Sequence, residues 1–222
     1  ILRQEWVESS LSDLEQEEPN DLMMHPLRLA LEVQSLMNQN DWLVIDGGNT
    51  HFWSEIAVNM AGAQGKELAG ILHPGSFSML GVGVSFGLAA KLNHPKDRVV
   101  VISGDGAFLS GGLSIEAAFQ ENVPITVVID NNGGLTTISQ QQERLFADER
   151  HVATDFRDIP FHTMFEGMGG HGELVEKPED LQPALERALS SGKTACVNVR
   201  TRSAISPIVL ATTSKRDKAS IE

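Results

Sequence analysis

The sequence predicts an α/β protein: a doubly wound, mainly parallel six-stranded sheet with helices on both faces. Three observations carry this expectation. Short, continuous, β-branched runs recur along the chain, helical patterns fill the intervals, and glycine-rich loops join the two. Strands buried on both faces read as unbroken apolar runs, and strand–helix alternation with tight connections implies right-handed crossovers.

Taken in order, a helical pattern over His25–Asn38 precedes the first strand, Trp42-Leu43-Val44-Ile45. A weaker strand centres on Leu72 and leads to a helix over Gly81–Leu92. Val99-Val100-Val101-Ile102 is the next strand, Leu113–Gln120 the next helix, and Ile125-Thr126-Val127-Val128-Ile129 the strand after it. A second weak strand around Leu174, a helix over Pro178–Leu189 and the strand Ala195-Cys196-Val197-Asn198-Val199 complete the set. Met164, Phe165 and Met168 have helical spacing and read as core or subunit interface. Cys196, in mid-strand, reads as core.

The 222 residues suffice for a full core, and 41% hydrophobic with 21% charged residues is a globular composition. A net charge of −13 argues against a nucleic-acid partner. No apolar run approaches the ~18 residues of a membrane span. With one cysteine and no legible signal peptide, a cytoplasmic protein is expected. Acid concentrates in residues 1–22, where seven carboxylates face Arg3 alone, −6 of the −13. That stretch reads as an acidic linker from an upstream domain, residues 23–205 as the folded domain, and 206–222 as a polar tail.

In doubly wound sheets ligands bind beyond the carboxyl ends of the strands. Four consecutive strand ends here carry glycine and small polar groups: Asp46-Gly47-Gly48-Asn49-Thr50, His73-Pro74-Gly75-Ser76-Phe77-Ser78, Ser103-Gly104-Asp105-Gly106-Ala107 and Asp130-Asn131-Asn132-Gly133-Gly134. Glycines let backbone N–H groups approach a phosphate, and Asp105 with Asn132 offers hard oxygen ligands suited to Mg²⁺ or Ca²⁺. No cysteine cluster, His-x-x-x-His or Walker loop supports a zinc or P-loop alternative. Gly81-Val82-Gly83-x-x-x-Gly87 lacks the dinucleotide spacing and reads as helix packing. The chemistry is that of a Mg²⁺-diphosphate at the sheet edge. Taken singly, Asp105 and Asn132 also suit plain turns.

Gly104-Asp105-Gly106, then 24 residues holding a helix and a strand, then Asn131-Asn132, resembles the metal–diphosphate motif of thiamine-diphosphate-dependent enzymes. From about residue 22 to 205 the chain resembles the C-terminal, diphosphate-binding domain of the acetolactate synthase, 2-hydroxyacyl-CoA lyase and oxalyl-CoA decarboxylase group. The resemblance implies that Asp105, Asn132 and the carbonyl of Gly134 bind Mg²⁺. Gly104, Gly106, Ala107, Asn49, Thr50 and Leu135 would hold the cofactor. Leu80 would wedge the cofactor into a V, and the Ser78 carbonyl would accept from its 4′-amino group, which makes these two the catalytic positions. His51, His73 and Trp53 could face substrate, while Asp130 would fix its loop.

The family's catalytic glutamate lies on a pyrimidine-binding domain that nothing here resembles. The resemblance therefore implies a docked domain from the same or another chain, a homo-oligomer, and no turnover by this chain alone. Flavin (FAD), where used, would bind mainly upstream. The expected activity is C–C cleavage or formation on a 2-oxo acid. Asn49-Thr50 departs from the Gln-His pair of acetolactate synthases toward the acyl-CoA enzymes, which keeps acyl-CoA substrates open. A non-catalytic cofactor-binding or regulatory module is the alternative of another class.

Overall fold

The computed structural model describes residues 23–145, 151–207 and 209–210. The acidic stretch 1–22 and the tail beyond 210 lie outside the described residues. In chain order the elements are α1 (Pro26–Leu36), β1 (Trp42–Ile45), α2 (Asn49–Ala63), β2 (Gly70–Leu72), α3 (Gly83–Asn93), β3 (Val99–Gly104), α4 (Asp105–Gly111), α5 (Glu116–Gln120), β4 (Thr126–Asn131), α6 (Thr136–Leu145), α7 (Phe161–Gly167), β5 (His171–Val175), α8 (Pro178–Ser190) and β6 (Ala195–Arg200). The strands form one sheet in the order β2-β1-β3-β4-β6-β5, and every neighbouring pair is parallel.

The double winding is visible residue by residue, because successive side chains on a strand point to opposite faces. Leu43, Ile45, Val100, Ile102, Val128, Val197 and Val199 join Leu29 and Val33 of α1 and Leu181 and Leu185 of α8 in one cluster. Their alternates Val44, Val99, Val101, Val127, Ile129 and Cys196 join Val84 of α3, Phe108 of α4, and Phe161 and Phe165 of α7 in the other. Gly87 belongs to this packing, since a Cβ there would stand 2.7 Å from a Val101 methyl. Cys196 is buried, and burial pushes its thiol pKa up. Of the methionine–phenylalanine trio, Phe165 is core and Met168 is 40% exposed.

Three helices go beyond the sequence expectation: α2, α4 and α6. α2 follows Gly48, whose φ of +88° suits glycine and which provides no side-chain cap. Its buried face mixes Asn49, Thr50, His51 and Ser54 with Trp53, Ile56 and Ala57, so no apolar period appears. Among the described residues, no helix is long and apolar enough to cross a membrane.

The chain runs outward from β1 to β2, crosses back to β3 and continues to β4. The winding therefore reverses between β1 and β3, where open α/β sheets bind ligands.

Candidate functional site

A cleft opens at that reversal point. Gly47, Gly48, Asn49 and Thr50 line it after β1, Gly104 to Ala107 after β3, and Asn132 with Gly134 to Thr136 after β4; Leu80 covers it. Of the residues expected from sequence to bind, Ser78 alone is not part of that lining. Ser78 sits beside it in left-handed conformation at φ 49°, ψ 33°.

Asp105 is 2% exposed and held by backbone amides alone. Its Oδ1 accepts from Gly106 N–H at 2.7 Å, and its Oδ2 accepts from Gly133 and Gly134 N–H at 2.9 Å each. Gly106 N–H, expected to face a phosphate, is thus turned onto Asp105. Burial first, and the nearby Asp130 charge to a lesser degree, push the Asp105 carboxyl up to about 7 against those three amides. A divalent cation relieves such a site. Asn132 Oδ1 is buried and has no partner among the described residues, and Asn49 Oδ1 shares that condition. The Gly134 carbonyl accepts from Thr136 N–H at 2.9 Å, which leaves it a second lone pair. Carboxylate, carboxamide and carbonyl oxygens with no nitrogen or sulfur donor fit Mg²⁺.

The residue that sequence reasoning left without a role is Asp46. Its Oδ1 accepts from Gly47 and Gly81 N–H at 2.8 and 3.0 Å; its Oδ2 accepts from Gly83 N–H and Ser103 Oγ–H at 3.1 Å each. One buried carboxylate thereby ties the end of β1 to β3 and to the segment carrying Ser78 and Leu80. The glycines make this approach possible: a Cβ on Gly83 would lie 2.8 Å from Asp46 Oδ2. A Cβ on Gly47 would lie 2.5 Å from Leu80 Cδ2 and 3.3 Å from the Ser78 carbonyl oxygen.

Thr50 spends its hydroxyl inside the protein, donating to Asp130 Oδ2 at 2.7 Å. Thr201 Oγ1 donates to the other oxygen of Asp130. Asp130 therefore fixes its loop, as expected, and burial raises its carboxyl pKa against these two hydroxyls. Gly104 admits Thr50, whose Oγ1 would stand 2.9 Å from a Cβ there. Asn49 Nδ2 donates to Gln140 Oε1 at 3.1 Å and so joins α2 to α6. Trp53 does not face the cleft: it is 1% exposed, packs edge-on against His25 and donates to the Ala204 carbonyl. His51 is buried and His73 exposed, the two rings in contact.

Residues 46–199 match the family model described as thiamine pyrophosphate enzyme, C-terminal TPP binding domain. The chain is 35% identical over 198 residues to the acetolactate synthase large subunit IlvG of Mycobacterium tuberculosis, covering 87% of this chain and 35% of that protein. It is 28% identical over 180 residues to the catabolic acetolactate synthase of Raoultella terrigena, covering 81% and 31%. It is 29% identical over 174 residues to the mouse 2-hydroxyacyl-CoA lyase 2, covering 78% and 26%. The chain spans about a third of the length of the curated relatives it matches.

Proposed function

Since this chain belongs to the thiamine pyrophosphate enzymes, as their C-terminal TPP-binding domain, we propose that it forms the Mg²⁺-diphosphate half of an enzyme that makes or breaks a C–C bond beside a carbonyl. The observation that carries the proposal is the pairing of Asp105 with the unpartnered Asn132 Oδ1 at the ends of adjacent strands. Asp105, Asn132 Oδ1 and the Gly134 carbonyl would hold Mg²⁺. The backbone amide of Ala107, with Asn49, would hold the diphosphate; Leu135 would line its pocket, its own amide donating to the Thr154 carbonyl at 2.8 Å; and Ser78 and Leu80 would shape the thiazolium and pyrimidine. When bound, thiamine diphosphate supplies a carbon nucleophile and electron sink; the protein supplies position and electrostatics.

Each residue has a separate task. Asp105 presents charge to the cation. Asp46 fixes the segment that bears Leu80 and Ser78 over Gly47, and such preorganisation lowers the entropic cost of holding a reactive geometry. Asp130 and Thr50 hold the start of α2 to the end of β4. The substrate we propose is a 2-oxo acid, as for acetolactate synthase; Asn49-Thr50 supports an acyl-CoA substrate as the second reading. A pyrimidine-binding domain, from the same or another chain of a homo-oligomer, would complete the active site, so residues 23–205 alone bind and do not turn over.

Calorimetric titration of thiamine diphosphate, with Mg²⁺ and again with EDTA, tests the proposal. Mg²⁺-dependent binding that falls by about 100-fold or more in Asp105→Ala is expected. If the chain alone is silent, the titration is repeated with a pyrimidine-binding domain supplied, and silence there overturns the reading.

A further inference from the structure

The first turns of α2 carry a second group of chemically able side chains outside the cleft lining. His51 and Glu55 are four residues apart and so share one helix face. His51 Nε2 lies 2.8 Å from Glu55 Oε1. The chain then passes through β2 and returns with His73, whose ring meets that of His51 edge-on, 5.4 Å between centroids. One ligand atom from each of the three residues lies within 4.8 Å of the other two. Among the described residues, no other three His, Cys, Asp or Glu side chains meet in this way.

His51 is 4% exposed, and its Nδ1 is buried with no partner among the described residues. Because Nε2 is the nitrogen that faces Glu55, an ion shared with Glu55 takes Nε2 and leaves the ring proton on this Nδ1. None of His51, Glu55 and His73 lines the oxygen-lined cleft.

We propose that His51, Glu55 and His73 form a second cation site, which takes a borderline divalent ion of the zinc class and ties α2 to the segment leading to Ser78 and Leu80. Two imidazoles and one carboxylate suit Zn²⁺, Co²⁺ or Ni²⁺, whereas the all-oxygen set around Asp105 suits Mg²⁺. The two sites therefore select different ions by donor chemistry. Three protein ligands leave a further position to water, and the exposed His73 with the 35% exposed Glu55 gives the ion a way in. Both rings bind as neutral imidazoles, each keeping its proton on the nitrogen turned away from the ion. The cost falls at His73, whose Nδ1 now accepts a long, 3.3 Å contact from the Gly75 amide. Ligation through Nε2 places a proton on that Nδ1 and gives the contact up.

The position gives the ion a consequence. His51 directly follows Asn49 and Thr50 of the cleft wall, and His73 stands five residues before Ser78. An ion held by both links the two walls from behind, without touching the cofactor site.

Visible absorption during titration of Co²⁺ into the full chain tests this, followed by displacement with Zn²⁺. The expected result is one saturable equivalent with the strong ligand-field bands of a low-coordinate nitrogen site. Affinity should fall by about 10-fold or more in Glu55→Gln and in His73→Ala. Millimolar Mg²⁺ and Asp105→Ala should leave it unchanged. Both substituted side chains reach solvent, so the variants are expected to fold, and far-UV dichroism checks that they do. No saturable equivalent, or the same affinity in both variants, overturns the site. The experiment needs no thiamine diphosphate, so its result is independent of the function proposed above.

Discussion

Along β3, Val99 to Ile102 are at most 2% exposed, and Ser103 and Asp105, which follow directly, are buried as deeply. Along β4, Val127 to Ile129 are fully buried, and so is Asp130 after them. Strand bodies and strand ends thus share one degree of burial and hold opposite chemistry. In the bodies, removal from water is itself the stabilisation, about 1.5–3 kcal/mol for each large aliphatic side chain. At the ends, removal from water is a cost that hydrogen bonds must offset. Asp46 offsets it fully with four protein donors, and Asp130 with two hydroxyls. Asp105 offsets it with three backbone amides, whereas Asn132 Oδ1 beside it has no partner among the described residues. The difference teaches where to look for a ligand: beside the polar atoms that burial has left unpaired.

Asp46→Ala puts this contrast under the heaviest load. It strands two buried amides and one half-buried amide at once, and leaves the Ser103 hydroxyl only the Gly104 carbonyl at 3.2 Å. At about 1–3 kcal/mol for each unsatisfied buried group, a loss near 3–5 kcal/mol is expected in urea unfolding, more than most single core truncations produce. Asp46→Asn keeps one acceptor oxygen and should lose roughly half as much. A loss below about 1 kcal/mol for Asp46→Ala would mean that the strand ends tolerate unpaired amides, and that the unpaired Asn132 oxygen carries no information about a ligand.

Sequence and structure agree where one physical rule acts alone. The β1 strand, Trp42–Ile45, has the expected bounds; β3 and β6 run two residues and one residue further at their ends, and β4 starts one residue later and ends two residues later than expected. These strands are covered on both faces, so their apolar runs are unbroken. The helix α2 was not legible, because its buried face is half polar for the sake of the cleft. That Asp105 and Asn132 meet was legible because one helix and one strand separate them and set them at adjacent strand ends, and Asn49 joins them from the glycine loop after β1. Asp46 was not, since its partners Gly81 and Gly83 stand 35 and 37 residues away and contribute backbone rather than side chain. Of His51, Glu55 and His73 the sequence singled out only the two histidines, as residues that could face substrate; Glu55 joins His51 through a helix that the sequence did not announce.

A buried polar group outside the cleft lining sharpens the comparison through pH. His25 is 1% exposed against Trp53, and its Nδ1 accepts from Leu27 N–H to cap α1. Burial, with the Arg202 charge, lowers its pKa to about 4. The folded state therefore refuses a proton that the unfolded chain takes up at 6.5. Stability is fully present above that pH and is lost as pH falls from 6.5 toward 4, by about 3 kcal/mol at most. Asp105 acts with opposite sign. Its carboxyl is raised to about 7, so it favours the folded state as pH falls through the same range. The His25 contribution is therefore read as a difference, from urea midpoints of the parent and of His25→Asn at pH 7.5 and 5. The parent should lose more on acidification than the variant does. Equal losses would place the acid sensitivity elsewhere.

The smallest expected effect on stability falls at Leu80, where the two regions meet. Its side chain is apolar like the strand bodies, yet it is 38% exposed and lies over Gly47 and Gly48 at the strand end. If it were core, Leu80→Ala would cost 2–5 kcal/mol, as buried leucines do. Exposed and lying over glycines, it should cost less than about 0.5 kcal/mol. Its effect should appear instead when thiamine diphosphate is bound. A side chain that shapes the cofactor changes the near-UV dichroism of the bound form while leaving the urea midpoint in place. A shifted midpoint with unaltered dichroism would return Leu80 to the core and leave the cleft without its wedge. An unshifted midpoint with altered dichroism would place Leu80 with the strand ends, among the groups whose purpose is a ligand rather than the fold.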